Sequence, residues 1–86
     1  MLALRPARIE DAAEIARLLG VLSYPAEAAA MADRLRAILP LARHRVAVAQ
    51  AGHVGLLGWI AVERRLTLES GERIEIVGLV VDAVAR

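Results

Sequence analysis

The sequence predicts a single α+β domain over residues 1–86, ordered β-α-α-β-β-β, with two helices covering one face of a mostly antiparallel sheet. Three observations carry that prediction. Eighty-six residues allow one domain and little more. Two stretches before Pro40 repeat apolar residues at the helical period. After Pro40, three strand-like segments follow one another with no helix between them, which fits an antiparallel sheet better than repeated βαβ units.

Residues 2–5 read as a short strand that stops at Pro6, since proline disfavours helix at the residue before it and cannot donate to a sheet ladder. From about Ile9 to Gly20 the period becomes helical. Ile15, Leu18, Leu19 and Leu22 share a face with Ala12 and Ala16 beside them, while Glu10, Asp11 and Glu14 place negative charge where the helix dipole favours it. Ser23-Tyr24-Pro25 breaks this helix. A second one is expected over 26–39, with Met31, Leu35, Ile38 and Leu39 on one face, and its alanines at 28–30 suit a close approach to a neighbour. Residues 45–50 and 56–63 read as a β-hairpin around Ala51-Gly52-His53. Residues 66–72 read as a loop or frayed extension, and 73–81 as the last strand. In that strand Arg73, Glu75, Val77 and Leu79 alternate with Ile74, Ile76, Gly78 and Val80.

Composition narrows the functional classes. The chain is 58% hydrophobic, but much of that is alanine, and its apolar runs are far shorter than the roughly 20 residues of a membrane-spanning helix. With no cysteine there is neither a disulfide framework nor thiolate chemistry, and the expected location is the cytoplasm. All eleven basic residues are arginine, spread along the chain and interleaved with ten acidic ones. Such a charge pattern, with only Trp59 and Tyr24 available for stacking, argues against nucleic-acid binding.

Few side chains offer chemistry. His44 and His53 lack metal-ligand spacing and read as surface or turn residues or as substrate contacts, so no metal is expected. Ser23, Thr67 and Ser70 show no nucleophilic triad, and Gly52, Gly55 and Gly58 lie in a hairpin rather than opening a helix. Trp59 reads as core or cleft-lining. Tyr24, in the break between the helices, reads as a core plug or as facing a substrate. Glu75 has two readings. It is a solvent-face residue of an edge strand paired with Arg73 or a neighbour, or it is a partly desolvated general base that takes a proton from an amine. Gly78, three residues on, permits a bulge or the close approach of a ligand to the backbone.

Together the opening Leu4-Arg5-Pro6-Ala7, the helix Glu10-Asp11-Ala12-Ala13-Glu14-Ile15-Ala16-Arg17-Leu18-Leu19, the hairpin end Leu56-Leu57-Gly58 and the strand Ile74-Glu75-Ile76-Val77-Gly78-Leu79-Val80-Val81-Asp82 resemble the GNAT superfamily of N-acetyltransferases. The resemblance covers essentially the whole chain and implies an acyl-CoA N-acyltransferase-like fold, truncated, with acetyl-CoA as cofactor and an unidentified primary amine as acceptor. Under it, Glu75 is the general base and the Leu79 backbone N–H polarises the thioester carbonyl. Leu79, Val80 and Val81 line the cofactor's pantetheine arm, Arg86 is the first position of the pyrophosphate-binding motif, and Tyr24 lies on the acceptor side. The glycines, helix and strands that follow Arg86 in that family are not in this sequence. The expectation is therefore a partial domain whose last strand leaves an edge and an apolar face open. Such a surface invites a homo-oligomer through residues 73–81 or a complementary chain. The alternative to catalysis is a non-catalytic interaction or remnant domain.

Overall fold

The structure, a computed structural model, describes residues 2–22, 26–52 and 55–83. Four strands form one sheet, β1 (Leu2–Pro6), β2 (His44–Ala51), β3 (Leu56–Thr67) and β4 (Gly71–Val81), in the order β1-β2-β3-β4 with every neighbouring pair antiparallel. Two helices, α1 (Ala12–Gly20) and α2 (Ala28–Ile38), sit between β1 and β2 in sequence and cover one face. The predicted order and class hold.

Local chemistry fixes the entry to α1. A single 3-10 turn, Ile9–Asp11, precedes the helix. The Asp11 carboxylate accepts the Arg8 backbone N–H at 2.8 Å and a two-pronged pair of bonds from the Arg5 guanidinium at 2.8 and 2.9 Å. Asp11 is the only buried charged residue among those described, and this fork satisfies it while tying β1 to the helix. The Arg5 hydrogen bonds hold the Asp11 carboxyl below its ordinary range, and Asp11 in turn raises the guanidinium.

Ile15, Leu18, Met31 and Leu35 from the helices meet Val46, Val48, Leu56 and Val80 from the sheet to form the core. Leu18 and Val48 are completely buried. The alanine run behaves differently from expectation: Ala28 and Ala29 are exposed, and α2 packs through Met31 and Leu35 instead. Bulk wins over close approach here, since a long side chain removes more apolar surface from water than a methyl group does.

The segment 66–72, read as a loop or frayed extension, extends both strands and turns only at its middle. Pairing of β3 with β4 continues through Leu66↔Glu72 to Thr67↔Gly71, and only residues 68–70 turn. The Ser70 N–H bonds the Thr67 hydroxyl at 3.2 Å, and Gly71 takes a left-handed φ of 70° that a side chain would resist. Ser70-Gly71 thus marks the tip of a two-stranded ribbon on which Leu66, Leu68 and Glu72 are exposed.

Candidate active site on the last strand

Strand β4 lies at the edge of the sheet, with β3 as its one strand neighbour among the described residues. In an antiparallel ladder the backbone groups of successive residues point alternately toward the partner strand and away from it. The Asp82 N–H donates to the Leu57 carbonyl at 2.7 Å, and Val81, Val80 and Leu79 lie opposite Gly58, Trp59 and Ile60 in turn. Residues 80 and 82 thus turn toward β3, while Leu79 turns its N–H and carbonyl to the open edge. Val81 shares the phase of Leu79.

A bulge interrupts the strand upstream. Ala61 lies opposite Gly78 and Val62 opposite Ile76, so Val77 is an extra residue on β4. That extra residue corrects the simple alternation expected for residues 73–81. Glu75 lies opposite Glu63 on the helix side of the sheet, whereas Leu79 lines an apolar hollow on the other side with Leu4, Ala47 and Ile60. Two residues that strict alternation puts on one face therefore stand on opposite faces. The room at Gly78, expected to admit a ligand, is taken by Trp59: a Cβ at position 78 would come within 2.7 Å of the indole ring.

The Glu75 side chain is 29% exposed and both of its oxygens are engaged. Oε1 pairs with Arg73 at 2.6 Å and Oε2 accepts from Arg65 at 3.1 Å. Arg65 also reaches Glu63 at 3.0 Å, and Glu63 meets the His44 imidazole at 3.1 Å. A row of five charged or titratable groups thus crosses β2, β3 and β4. Sequence reading found Glu75 and its pairing with Arg73 but missed His44, Glu63 and Arg65 as its companions. Their signal was the cross-strand register, which becomes visible only once 64–72 is recognised as paired strand.

Beside this row, an apolar groove of about 240 Å³ runs between the helices and the sheet, with Ile15, Leu19, Met31, Trp59 and Val77 in its walls and Arg34 as its charged lining residue. Trp59 forms part of both wall and core, and its indole N–H is buried without an acceptor among the described residues. At the far end of β4 the Arg17 guanidinium binds Glu14 at 2.9 Å, Asp82 at 3.0 Å and the Leu56 carbonyl at 3.0 Å, while Glu14 accepts the Leu56 N–H at 2.9 Å. Arg17 holds the Glu14 carboxyl below its ordinary range, and Glu14 and Asp82 raise the guanidinium. This junction fixes the end of β4 to α1. Of the remaining sequence-predicted site residues, Val80 is buried in the core, and Tyr24 and Arg86 lie outside the described residues, as does His53. No group of metal-binding side chains occurs among the described residues, and no described helix is long and apolar enough to cross a membrane.

No protein-family model matches the sequence, and no curated protein matches it. Solved structures do match. A GNAT family acetyltransferase from Staphylococcus aureus superposes with a TM-score of 0.84 at 17% identity, over 99% of this chain and 65% of its own. An aminoglycoside antibiotic 6'-N-acetyltransferase from Acinetobacter baumannii gives 0.83 at 13% identity, over 100% and 60%. An acetyltransferase from Trypanosoma brucei gives 0.71 at 24% identity, over 100% and 63%. The chain spans 60–65% of the length of these three structures, and at such identities the likeness is one of fold. That fold, from the β-α-α-β-β-β order to the antiparallel sheet, is the GNAT-like acetyltransferase fold, present here at less than the full length of its solved counterparts.

Proposed function

We propose that this chain carries the acyl-donor strand of an acetyl-CoA-dependent N-acetyltransferase acting on a primary amine. One observation carries the reading: β4 is an edge strand whose phase turns the Leu79 N–H outward, just after a one-residue bulge. Acetyl-CoA, when bound, supplies an activated thioester. The Leu79 N–H fits the acyl end of that cofactor, because a fixed backbone donor stabilises the charge that grows on a carbonyl oxygen under attack without having to reorganise. Val80 and Val81 continue the strand alongside the pantetheine arm, and Arg86 is the candidate phosphate contact. On the acceptor side the groove under Trp59 and the segment holding Tyr24 orient the amine.

Glu75 is the proposed base. Four residues of extended chain separate it from Leu79, roughly 13 Å. It therefore takes the proton through intervening water, after one carboxylate oxygen exchanges Arg65 or Arg73 for that water. Calorimetric titration of the chain with acetyl-CoA tests the reading. Binding is expected, and Leu79→Pro should weaken it at least about 10-fold, because proline deletes the outward N–H and leaves the bonds to β3 intact. A folded chain that takes up no acetyl-CoA overturns the proposal.

The engaged state of Glu75, with an arginine on each oxygen, favours a second reading as a non-catalytic interaction domain that keeps the transferase fold. Absence of acetyl-CoA binding by the folded chain selects it.

A further inference from the structure

The groove between the helices and the sheet lies inside the fold, because its walls come from both layers. Ile15, Met31 and Leu35 belong to the helices, and Val46, Trp59 and Val77 to the strands. The side chains that line it are apolar apart from two groups, the Arg34 guanidinium and the Trp59 indole N–H. Both donate hydrogen bonds and neither accepts one. No carboxylate among the described residues lines the groove.

The Trp59 N–H is the more telling of the two. It is buried, with no acceptor among the described residues. Such a donor is uncommon in a folded protein, because it forfeits the hydrogen bond that it makes to water in the unfolded chain. The six-membered edge of the same ring stands over Gly78, where a Cβ would come within 2.7 Å of it. With no side chain at 78 to pin it, the ring can turn about its Cβ–Cγ bond and present the N–H to an oxygen in the groove.

We infer that the acceptor is an amine whose apolar body carries a carboxylate, the body lying in the groove and the carboxylate held by Arg34 and the Trp59 N–H. Charge favours this class. A bare ammonium group would meet a cation as the one charged residue in the walls, whereas a carboxylate on the same molecule answers that cation. Apolar walls strengthen the contact, since a charge-assisted hydrogen bond gains as water is excluded. Size agrees, because about 240 Å³ equals the share of roughly eight waters at about 30 Å³ each, which suits a small aliphatic amino acid. Val77 in the wall stands two residues before Leu79, roughly 7 Å along the strand, so this end of the groove leads toward the acyl position.

The inference rests on the acetyl-transfer reading for the fate of the amine, whereas recognition of the carboxylate rests on the groove alone. In the transfer, the amine nitrogen bonds to the acetyl carbon as the carbon–sulfur bond breaks. The proton that the amine loses passes through water to Glu75 and ends on the departing thiolate.

NMR titration of the full 86-residue chain with L-leucine, leucinamide and isoamylamine, all without acetyl-CoA, tests the carboxylate subsite. Trp59 is the one tryptophan in the sequence, so its indole N–H gives a single signal. L-leucine should move that signal downfield as the N–H gains an acceptor, and it should bind at least about 10-fold more tightly than the other two. Arg34→Gln, on the exposed surface of α2, should remove that preference with circular dichroism unchanged, and Arg34→Lys should restore most of it. The inference is overturned if leucinamide or isoamylamine binds as tightly as L-leucine, the former result pointing to the N-terminus of a peptide. It is equally overturned if about 20 mM L-leucine leaves the indole signal in place, or if Arg34→Gln binds L-leucine as well as the wild type does. L-leucine binding by a chain that takes up no acetyl-CoA overturns the transfer reading and leaves the carboxylate subsite standing.

Discussion

Two glycine-to-alanine substitutions should change stability in opposite directions, and the difference follows from what each new methyl group meets. At Gly58 a Cβ would lie 2.7 Å from the Val80 carbonyl oxygen and 3.5 Å from the Val81 Cα. The first distance is about half an ångström inside an ordinary C···O contact of roughly 3.3 Å. Both atoms belong to the backbone of β4, so no side chain can swing away, and relief requires β3 and β4 to separate. Overpacking of this kind costs typically about 1–3 kcal/mol. Replacing glycine by alanine in a strand returns about 0.5–1 kcal/mol, because the unfolded chain loses freedom. The steric term wins, and Gly58→Ala should lose about 1–2 kcal/mol. In a domain of this size that lowers the melting temperature by roughly 4–16 °C. Gly20 ends α1, and a Cβ there meets no neighbouring group within 4 Å. Only the favourable term remains, so Gly20→Ala should gain up to about 1 kcal/mol. Urea unfolding followed by circular dichroism measures both. A Gly58→Ala midpoint at or above that of the wild type refutes the reasoning, because it would mean that the strands part at no cost.

Two further outcomes concern charge. The Arg5 hydrogen bonds depress the Asp11 carboxyl in the folded state. Its contribution is therefore complete above the ordinary unfolded value of about 4 and disappears as pH falls through the depressed one. Thermal melts of wild type and Asp11→Asn should differ near neutral pH and converge in strong acid, and a gap that stays constant across that range refutes the assignment. Arg17→Met retains the aliphatic stem but releases Glu14, Asp82 and the Leu56 carbonyl. Hydrogen exchange at the Leu56 and Asp82 amides should accelerate while the helical signal is unchanged, and unaltered exchange would show that the junction does not hold the end of β4.

Much of the architecture was legible because it rests on period and punctuation. Pro40 separates helical from strand periodicity, and the stripe of Ile15 and Leu18 marks the buried face of α1 without reference to any tertiary contact. Residues 66–72 read as a loop or frayed extension on the turn signal Ser70-Gly71, whereas that signal marks only the tip of a hairpin whose arms stay paired to Thr67↔Gly71. The site was half legible. Glu75 and its neighbour Arg73 stand two apart in one strand, and their pairing follows from spacing alone. The link from Arg65 to both glutamates depends on register across β3 and β4, which no local pattern encodes. Leu79 and Glu75 were placed on one face by counting in twos, and a bulge defeats any such count.

The bulge at Val77 also bears on how the hairpin tolerates insertions and deletions. Deleting that single residue would leave the neighbouring pairs in place, Gly78 opposite Ala61 and Ile76 opposite Val62, so the strand would regain strict alternation with no other side chain turned over. Straightening the bulge with Val77 kept in the ladder would instead slip residues 71–76 by one place and carry Arg73 and Glu75 to the face that Ile74 and Ile76 occupy. A gene encoding this hairpin can thus lose the codon for residue 77 at the cost of one side chain from the groove under the helices, whereas an added residue elsewhere in the paired stretch would reverse half a strand.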